Sequence, residues 1–512
     1  MYIEPNSTIK ICKNVPLDNT YKNTLYFANK LAQENFFASK TKHNLAKQSY
    51  QRVVKGKMRV EIKSEDLYDC NYLCFQNTSF GLKWFYCFIT SVEYVNNETS
   101  EITFEIDVMQ TYFFDTTLKQ CFVEREHSAT DNIGDNILPE PVDIGEYIYN
   151  DYTPLDLTIR EFYIIVAVVD VKGGSQGEIY DRIYSGAELW AFNNNDIQGI
   201  DLFLDGYSEK PESIISIYMI PKILLAAKVA DGGTKLPYGA SGSGANYNLS
   251  PINGTEVLDG YTPRNKKLYT YPYNFLCVDN ASGSSLCLRY EFFNDLTPVL
   301  RLRGCITQPV SITLTPRNYK NFKTVTGQYN DDIYTESVSL TSYPTCSWNN
   351  DSFMQFLGKE GFPLIVKNLA SMSIGNEIGA ITNTLTSVYK ASVSADVMRG
   401  SLNNGSVNCA NGTQQFYISR CSVNKHYAKV IDDYFTMFGY TCKRVKVPGI
   451  TNRSRWNYIK TKNCCVQSNA PVDDVNKICE IYDNGITFWM TNVSDFEVGN
   501  YNFANTPTGS GV

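Results

Sequence analysis

A mainly β fold with a few helices, β-rich α+β in class, is what the sequence predicts, and three observations predict it. Tyr (36) and Phe (27) are abundant among the 512 residues, and aromatic side chains suit a pleated, half-buried surface. Charged residues make up 19%, below the usual share of about a quarter. Most directly, EITFEIDVMQTYFFD (Glu101–Asp115) sets Ile102, Phe104, Ile106 and Val108 against Glu101, Thr103, Glu105 and Asp107. That is the period of a strand, oily on one face and acidic on the other.

The elements follow in order along five segments, 1–150, 151–265, 266–350, 351–414 and 415–512. In the first, Tyr26–Ser39 reads as a weakly periodic helix, and Met58–Ile62 and Asn71–Asn77 as strands. Lys83–Val95 and Glu101–Tyr112 read as a long hairpin, with Asn96 and Asn97 suited to its turn. Residues 126–150 are a connector broken by Gly134, Pro139, Pro141 and Gly145. In the second, Arg160–Val171 is apolar on both faces, as a strand buried in a mixed domain would be. Ser213–Pro221 is a further strand, and Asp231–Asn246 a Gly/Ser-rich loop. In the third, Lys266–Tyr290 reads as a hairpin turning at Asn280–Ser285, followed by the strand Ser311–Thr315.

At Gly361 the composition changes. Phe362–Gly400 carries only Lys367, Glu377, Lys390, Asp396 and Arg399 as charges. Its apolar side chains spread around a helix instead of forming one stripe, and glycines interrupt it, so it buries either in an oligomer or against a bilayer; a helical core of its own is the plain alternative. The last segment returns to strand at Gln415–Val423. Lys425–Cys442 reads as an amphipathic helix with Tyr427, Val430, Ile431, Tyr434 and Phe438 on its apolar face. Strands are expected at Lys443–Val447, Arg455–Lys462 and Ile486–Met490, a helix at Val472–Gly485, and fraying over the last dozen residues.

Composition also excludes functions. A net charge of -7 argues against a surface that clamps nucleic-acid phosphates. No signal peptide is expected from the first residues, and no run reaches the roughly 18 apolar residues of a simple membrane span. Fifteen cysteines lack C-x2-C spacing and read as small buried hydrophobes, so neither a metal site nor any cofactor is expected. His43, His127 and His426 stand alone, no cysteine is singled out as a nucleophile, and GASGSGAN lacks the Lys-Ser/Thr of a phosphate loop. The chain reads as no enzyme. The acidic face of Glu101–Asp107 is either a solvated outer face or the wall of an aqueous passage along which DNA slides without sticking.

Several strings resemble one family. VPLDNTYKNTLYF (Val15–Phe27), YLCFQNTSFGLKWFYCFITSVEYVN (Tyr72–Asn96), ITFEIDVMQTYFFD (Ile102–Asp115), FVEREH (Phe122–His127), KLYTYPY (Lys267–Tyr273) and IYDNGITFWM (Ile481–Met490) occur in the order seen in distal tail tube proteins. These are the tail knob proteins of small short-tailed phages, the Picovirinae-type podophages. Tyr112 stands where that family often carries Trp, and the middle, about 151–265, is short and divergent.

The resemblance implies a homohexamer at the distal end of the virion tail, made in the host cytoplasm. Tail-tube-like barrels would come from residues 1–150 and 415–512, an outer knob from the insert 151–265, and tube or knob strands from 266–350. Its partners would be an upper (proximal) tail or collar protein and a tail-tip plug protein, with phage DNA in transit and the host cell membrane beyond. The hydrophobic loop 351–414 would plug the lumen and then help open that membrane, through Phe362, Leu364, Ile365, Val366, Leu369, Met372, Ile374, Ile378, Ile381, Leu385 and Val388. Glu101, Thr103, Glu105 and Asp107 are the candidate channel-lining residues. The rival reading is a receptor-binding or cell-wall-degrading tail-tip protein, with Tyr261, Tyr269, Tyr271 and Tyr273 stacking on sugars; a hydrolase would also need spaced carboxylates or a metal.

Overall fold

The alternating stretch does form a strand, and it sits near the edge of a six-stranded sheet. The structure, a computed structural model, describes residues 6–48, 56–156, 159, 161–169, 188–207, 213–226, 228–236, 244–307, 310–320, 336–341, 343, 345–347, 415–490 and 501–509. The chain divides into two units, residues 1–144 with 260–268 and 425–512, and residues 145–259 with 269–424.

The first unit opens with β1 (Ser7–Lys13), β2 (Asn23–Leu25), α1 (Lys30–Ser39), β3 (Thr41–Gln48), β4 (Lys57–Val60), β5 (Cys70–Gln76), β6 (Trp84–Asn96), β7 (Thr99–Ile106), α2 (Val108–Thr111), β8 (Thr116–Leu118) and β9 (Cys121–Glu126). One sheet runs in the order β3-β1-β5-β6-β7-β4. Ile11, Met58, Leu73, Cys87, Ile102 and Phe104 meet on one face of it. The other face sends Tyr72, Tyr86 and Phe88 into a second core, where they join Phe37, Trp456 and Phe488. Phe37 stacks on Tyr72 at 5.1 Å and meets Tyr86 at 4.5 Å. A sheet with a core on each face explains why its strands are dense in aromatics.

The second sheet of this unit runs β2, Ile486–Trp489, Trp456–Lys462, β9, Tyr440–Lys446. β2 lies parallel to Ile486–Trp489, so an early and a late segment close one sheet. The predicted helix Tyr26–Ser39 begins later, at Lys30, because the Asn29 side chain caps it by accepting from the Ala32 N–H at 2.8 Å. The residues before it are taken by the second sheet, where the Tyr26 N–H donates to Trp489 O. The predicted hairpin is β6 and β7, closing at Asn96 opposite Thr99.

Two expectations are corrected. The helix Lys425–Phe438 buries Ala428, Ile431, Asp432, Phe435 and Thr436, whereas Val430, placed on its apolar face by hydropathy, is 54% exposed. The buried face is centred on two polar side chains that hydropathy assigns to water. The last dozen residues do not fray over 501–509. Tyr501 packs against Trp456 and Trp489, the Ser454 N–H donates to Thr506 O and the Gly509 N–H to Ala129 O.

Among the described residues the second unit holds three sheets. Phe162–Val168 is the middle of five strands, paired antiparallel with Glu188–Asn193 and Ile214–Pro221. Ile164, Ile165 and Val166 are buried, as an apolar run on both faces predicts; the neighbours are antiparallel, and burial on both faces alone fixes the pattern. Tyr147–Pro154, Tyr417–Val423, Asn274–Asp279 and Ser285–Leu288 make a second sheet, and Ala245–Asn248, Val299–Cys305, Ser311–Arg317 and Val338–Thr341 a third. The turn predicted at Asn280–Ser285 is held by the Asn280 side chain, which accepts from the Ser282 and Ser284 N–H groups.

Candidate functional site

Glu101, Thr103 and Glu105 share the face of β7 opposite Ile102 and Phe104. Its neighbours there are cationic. β4 pairs with β7 so that Arg59 lies opposite Glu101 and Lys57 opposite Thr103. Lys57 Nζ reaches Glu101 Oε1 at 2.9 Å, and Arg59 Nε reaches Oε2 at 3.0 Å. These two hydrogen bonds hold the Glu101 carboxyl below its usual range, and the bond from Glu101 in turn raises the Lys57 ammonium. Glu93 faces Glu101 across the hairpin, a like-charge pair that Lys57 bridges at 3.9 Å from Glu93. Glu105 pairs with Lys477 of the helix Val472–Asn484. The Thr103 hydroxyl is buried with no hydrogen-bond partner.

Asp107 departs from the expected alternation. It is 2% exposed, because β7 ends at Ile106 and the second core covers this end of the wet face. Its carboxylate caps α2 by accepting from the Gln110 N–H at 3.1 Å, and it takes the Tyr72 hydroxyl at 2.9 Å. Burial raises its pKa to about 6, against the opposing pull of those hydrogen bonds. Asp107 thus belongs to the interior, and an acidic face of four reduces to Glu101, Thr103 and Glu105.

The membrane-active residues assigned to 351–414, Phe362 to Val388, lie outside the described residues. Among the described residues no helix is long and apolar enough to cross a membrane, and no cluster of His, Cys, Asp or Glu could hold a metal ion. The tyrosines considered for sugar stacking are otherwise engaged. Tyr269 and Tyr273 are buried, Tyr271 lies under the Arg289 guanidinium at 4.0 Å, and Tyr261 donates to Asp432 at 2.7 Å.

Two polar networks went unread in the sequence. Asp432 is fully buried and accepts from the N–H groups of Arg264 and Asn265 as well as from Tyr261. Glu140, in the segment read as a connector, inserts between Arg125 and Lys267, 2.6 Å from each. The breakers around it hid this; the readable signal was an acid set directly between Pro139 and Pro141.

Comparison with known proteins gives these features a context. A family model described as the caudoviral major tail protein N-terminus matches residues 5–117, the span of β1 to β7. A second, described as the C-terminal domain of tail knob protein gp9 of Bacillus phage phi29, matches residues 243–402 and 365–506, together more than half of the chain. The chain belongs to the phage tail knob protein family. Tail knob protein gp9 of Bacillus phage B103 is 24% identical, over 96% of this chain and 98% of that protein. The gp9 of Bacillus phage PZA is 23% identical over 98% of both. The solved structure of the bacteriophage C1 tail knob protein, gp12, has the same fold, with a TM-score of 0.61, 18% identity, and coverage of 96% of this chain and 98% of that one. Tail knob proteins are virion components at the tail, structural proteins that assemble with other tail components.

Proposed function

We propose that this tail knob protein forms the wall of the distal tail conduit through which the phage genome leaves, as a homohexamer joined to an upper tail or collar protein and closed by a tail-tip plug protein. The match of β1 to β7 to a major tail protein carries the reading. A tube subunit needs strands that pack on one side and meet water on the other, and on the hairpin end of β7 Glu101, Thr103 and Glu105 are candidates for the bore. Their carboxylates already engage Lys57, Arg59 and Lys477. A passing phosphate backbone would meet occupied cations, which favours transit over binding.

The loop 351–414 is the proposed membrane-active part, on its composition. Apolar side chains left in water cost roughly 25 cal/mol per Å2, so the loop shelters in a plug before infection and in the host bilayer afterwards, two burial states of one segment.

Electron microscopy of the purified chain tests the architecture: six-fold rings with a central hole are expected, and compact monomers would overturn it. Deleting 362–400 is expected to leave the ring and abolish dye leakage from liposomes; full leakage would place the membrane activity elsewhere. Combining Glu101→Gln with Glu105→Gln frees Arg59 and Lys477 for phosphate and leaves Lys57 with Glu93 alone, and is expected to slow genome ejection, more so at low salt. Unchanged kinetics would remove this face from the bore.

A further inference from the structure

Cysteines in this chain read as buried hydrophobes, yet Cys287 is exposed. It lies on Ser285–Leu288, the outer strand of its sheet, which pairs antiparallel with Asn274–Asp279. The register sets Cys287 directly opposite Cys277, with no shift along the pair of strands. The Asn280 N–H donates to Ser284 O at 3.1 Å, so the pair nearest the turn is a hydrogen-bonded one. Bonded and non-bonded pairs alternate along an antiparallel ladder. Counting back from Asn280 makes Asp279–Ser285 and Cys277–Cys287 non-bonded pairs. The other edge of Asn274–Asp279 agrees. There the Val423 N–H donates to Tyr273 O at 3.0 Å, so odd-numbered residues of this stretch turn their backbone groups toward Tyr417–Val423 and away from Ser285–Leu288.

A non-bonded pair brings its Cα atoms to about 4.5 Å, with both side chains on one face. Disulfides span Cα separations of about 4.4–6.8 Å, so Cys277 and Cys287 can be bridged with the backbone where it stands. A third thiol, Cys421, is only diagonal to Cys277, whose direct opposite on that side is Ser419. Diagonal Cα atoms lie about 7–8 Å apart, too far for a disulfide without backbone movement. Cys421 is also buried, packed with Phe275 and Cys277 against Tyr147 and Tyr271. Cys305 makes the contrast: it is exposed too, but Ser311 stands opposite it. Burial, then Cys277 beside it, raises the Cys287 thiol above its usual range, so it exchanges through a small thiolate fraction.

We propose that Cys287 and Cys277 form a reversible disulfide, with a low-molecular-weight disulfide of the glutathione type as oxidant. The exposed Cys287 thiolate attacks one sulfur of the reagent. The reagent's S–S bond breaks, a mixed disulfide forms on Cys287, and one reagent thiol leaves. Cys277 then gives up its proton, attacks the Cys287 sulfur and expels the second reagent thiol. Two protein thiols are oxidised, one disulfide is reduced, and the two protons leave on the two reagent thiols. A tail component leaves the reducing interior of a cell with its virion and enters surroundings in which disulfides persist. The bridge then ties the outer strand to its sheet.

The test incubates the folded full chain with glutathione disulfide, blocks remaining thiols with iodoacetamide, and maps tryptic peptides by mass. Leu268–Arg289 carries both cysteines, whereas Cys421 falls in Cys421–Lys425. Leu268–Arg289 is expected to lose two hydrogens, to escape alkylation, and to recover both thiols with dithiothreitol. A cross-link to Cys421–Lys425, a lasting glutathione adduct on Cys287, or two free thiols would each overturn the proposal. Cys277→Ser removes the second attack and is expected to retain the adduct on Cys287; no adduct there would also overturn it. Cys287→Ser is expected to leave Cys277 unmodified, and oxidation of Cys277 in that variant would refute Cys287 as the point of entry. Should Cys277→Ser fail to fold, the wild-type map and Cys287→Ser, at an exposed position, decide.

Discussion

Glu101 and Glu140, both in the first unit, each lie between two cations, and they differ chiefly in their access to water. On the hairpin, Glu101 lies between Lys57 and Arg59, with side chains 17%, 35% and 69% exposed. In the 126–150 segment, Glu140 lies between Arg125 and Lys267, with side chains 0%, 9% and 2% exposed. Glu140 also accepts from the Thr441 N–H at 2.9 Å and its hydroxyl at 2.8 Å, so its lone pairs are filled. Burial depresses the Lys267 ammonium even beside that carboxylate. Exposed pairs trade a solvated ion for a paired one and gain little. A buried triad has no water to fall back on once a member is lost.

The largest expected effect tests the buried side. Glu140→Ala leaves Arg125 and Lys267 buried without their carboxylate, and is expected to cost about 3–5 kcal/mol. Guanidinium denaturation followed by tryptophan fluorescence measures it. A cost below about 1 kcal/mol, the scale of an exposed pair, would mean that water reaches the triad and that the two clusters are equivalent.

Asp107 sharpens the comparison as a buried carboxylate held by hydrogen bonds, with no ion pair of its own. Its folded pKa of about 6 lies above the ordinary 3.8. Between those values the native state holds the extra proton, so this group's contribution to stability is greatest below pH 3.8 and is lost as pH rises to 6. Asn keeps the cap, because it serves at that position as well as Asp, and removes the titration. The stability of Asp107→Asn relative to wild type is expected to rise by about 2.4 kcal/mol between pH 4 and pH 7. His127, with a folded pKa of about 3 against 6.5, works oppositely, losing stability as pH falls from 6.5. That background is common to both proteins and cancels. A relative stability that is flat with pH would show that Asp107 titrates normally.

A smaller loss is expected at Asp432, where the partners are mostly neutral donors. Asp432→Asn turns an NH2 group toward the donors of Tyr261 and of the Arg264 and Asn265 N–H groups. The expected cost is about 2 kcal/mol by the same denaturation measurement. No loss would mean that the amide finds a rotamer matching all three.

These sites also mark how far the sequence could be read. Period-2 alternation located β7 and the hairpin because hydrophobic burial on one face is a local signal. It failed at Asp107, where the wet face runs under a second core supplied by Trp456 and Phe488, more than 340 residues downstream by subtraction of their numbers. The helix Lys425–Phe438 was legible as a helix, and its orientation was not. Asp432 is buried by partners at 261–265, and hydropathy counts every aspartate as solvated. Glu140 was hidden because its second cation, Lys267, is 127 residues away. Local pattern reports faces; polar partners drawn from distant segments leave no periodic trace.

The smallest expected effect tests the exposed side. Glu101→Gln replaces the carboxylate shared by Lys57 and Arg59 with a neutral amide that keeps a single acceptor oxygen, and so removes the negative charge opposite Glu93. Lost attraction and relieved repulsion oppose each other, and Lys57, already 3.9 Å from Glu93, can turn to it. Solvent screens what is left. The denaturation midpoint is therefore expected to stay unchanged, at low salt and at high salt alike. A clear drop, comparable to that of Glu140→Ala, would show that this face is dry in the assembled protein. Glu101 would then be covered by a neighbouring copy, and the bore would have to be lined by some other strand.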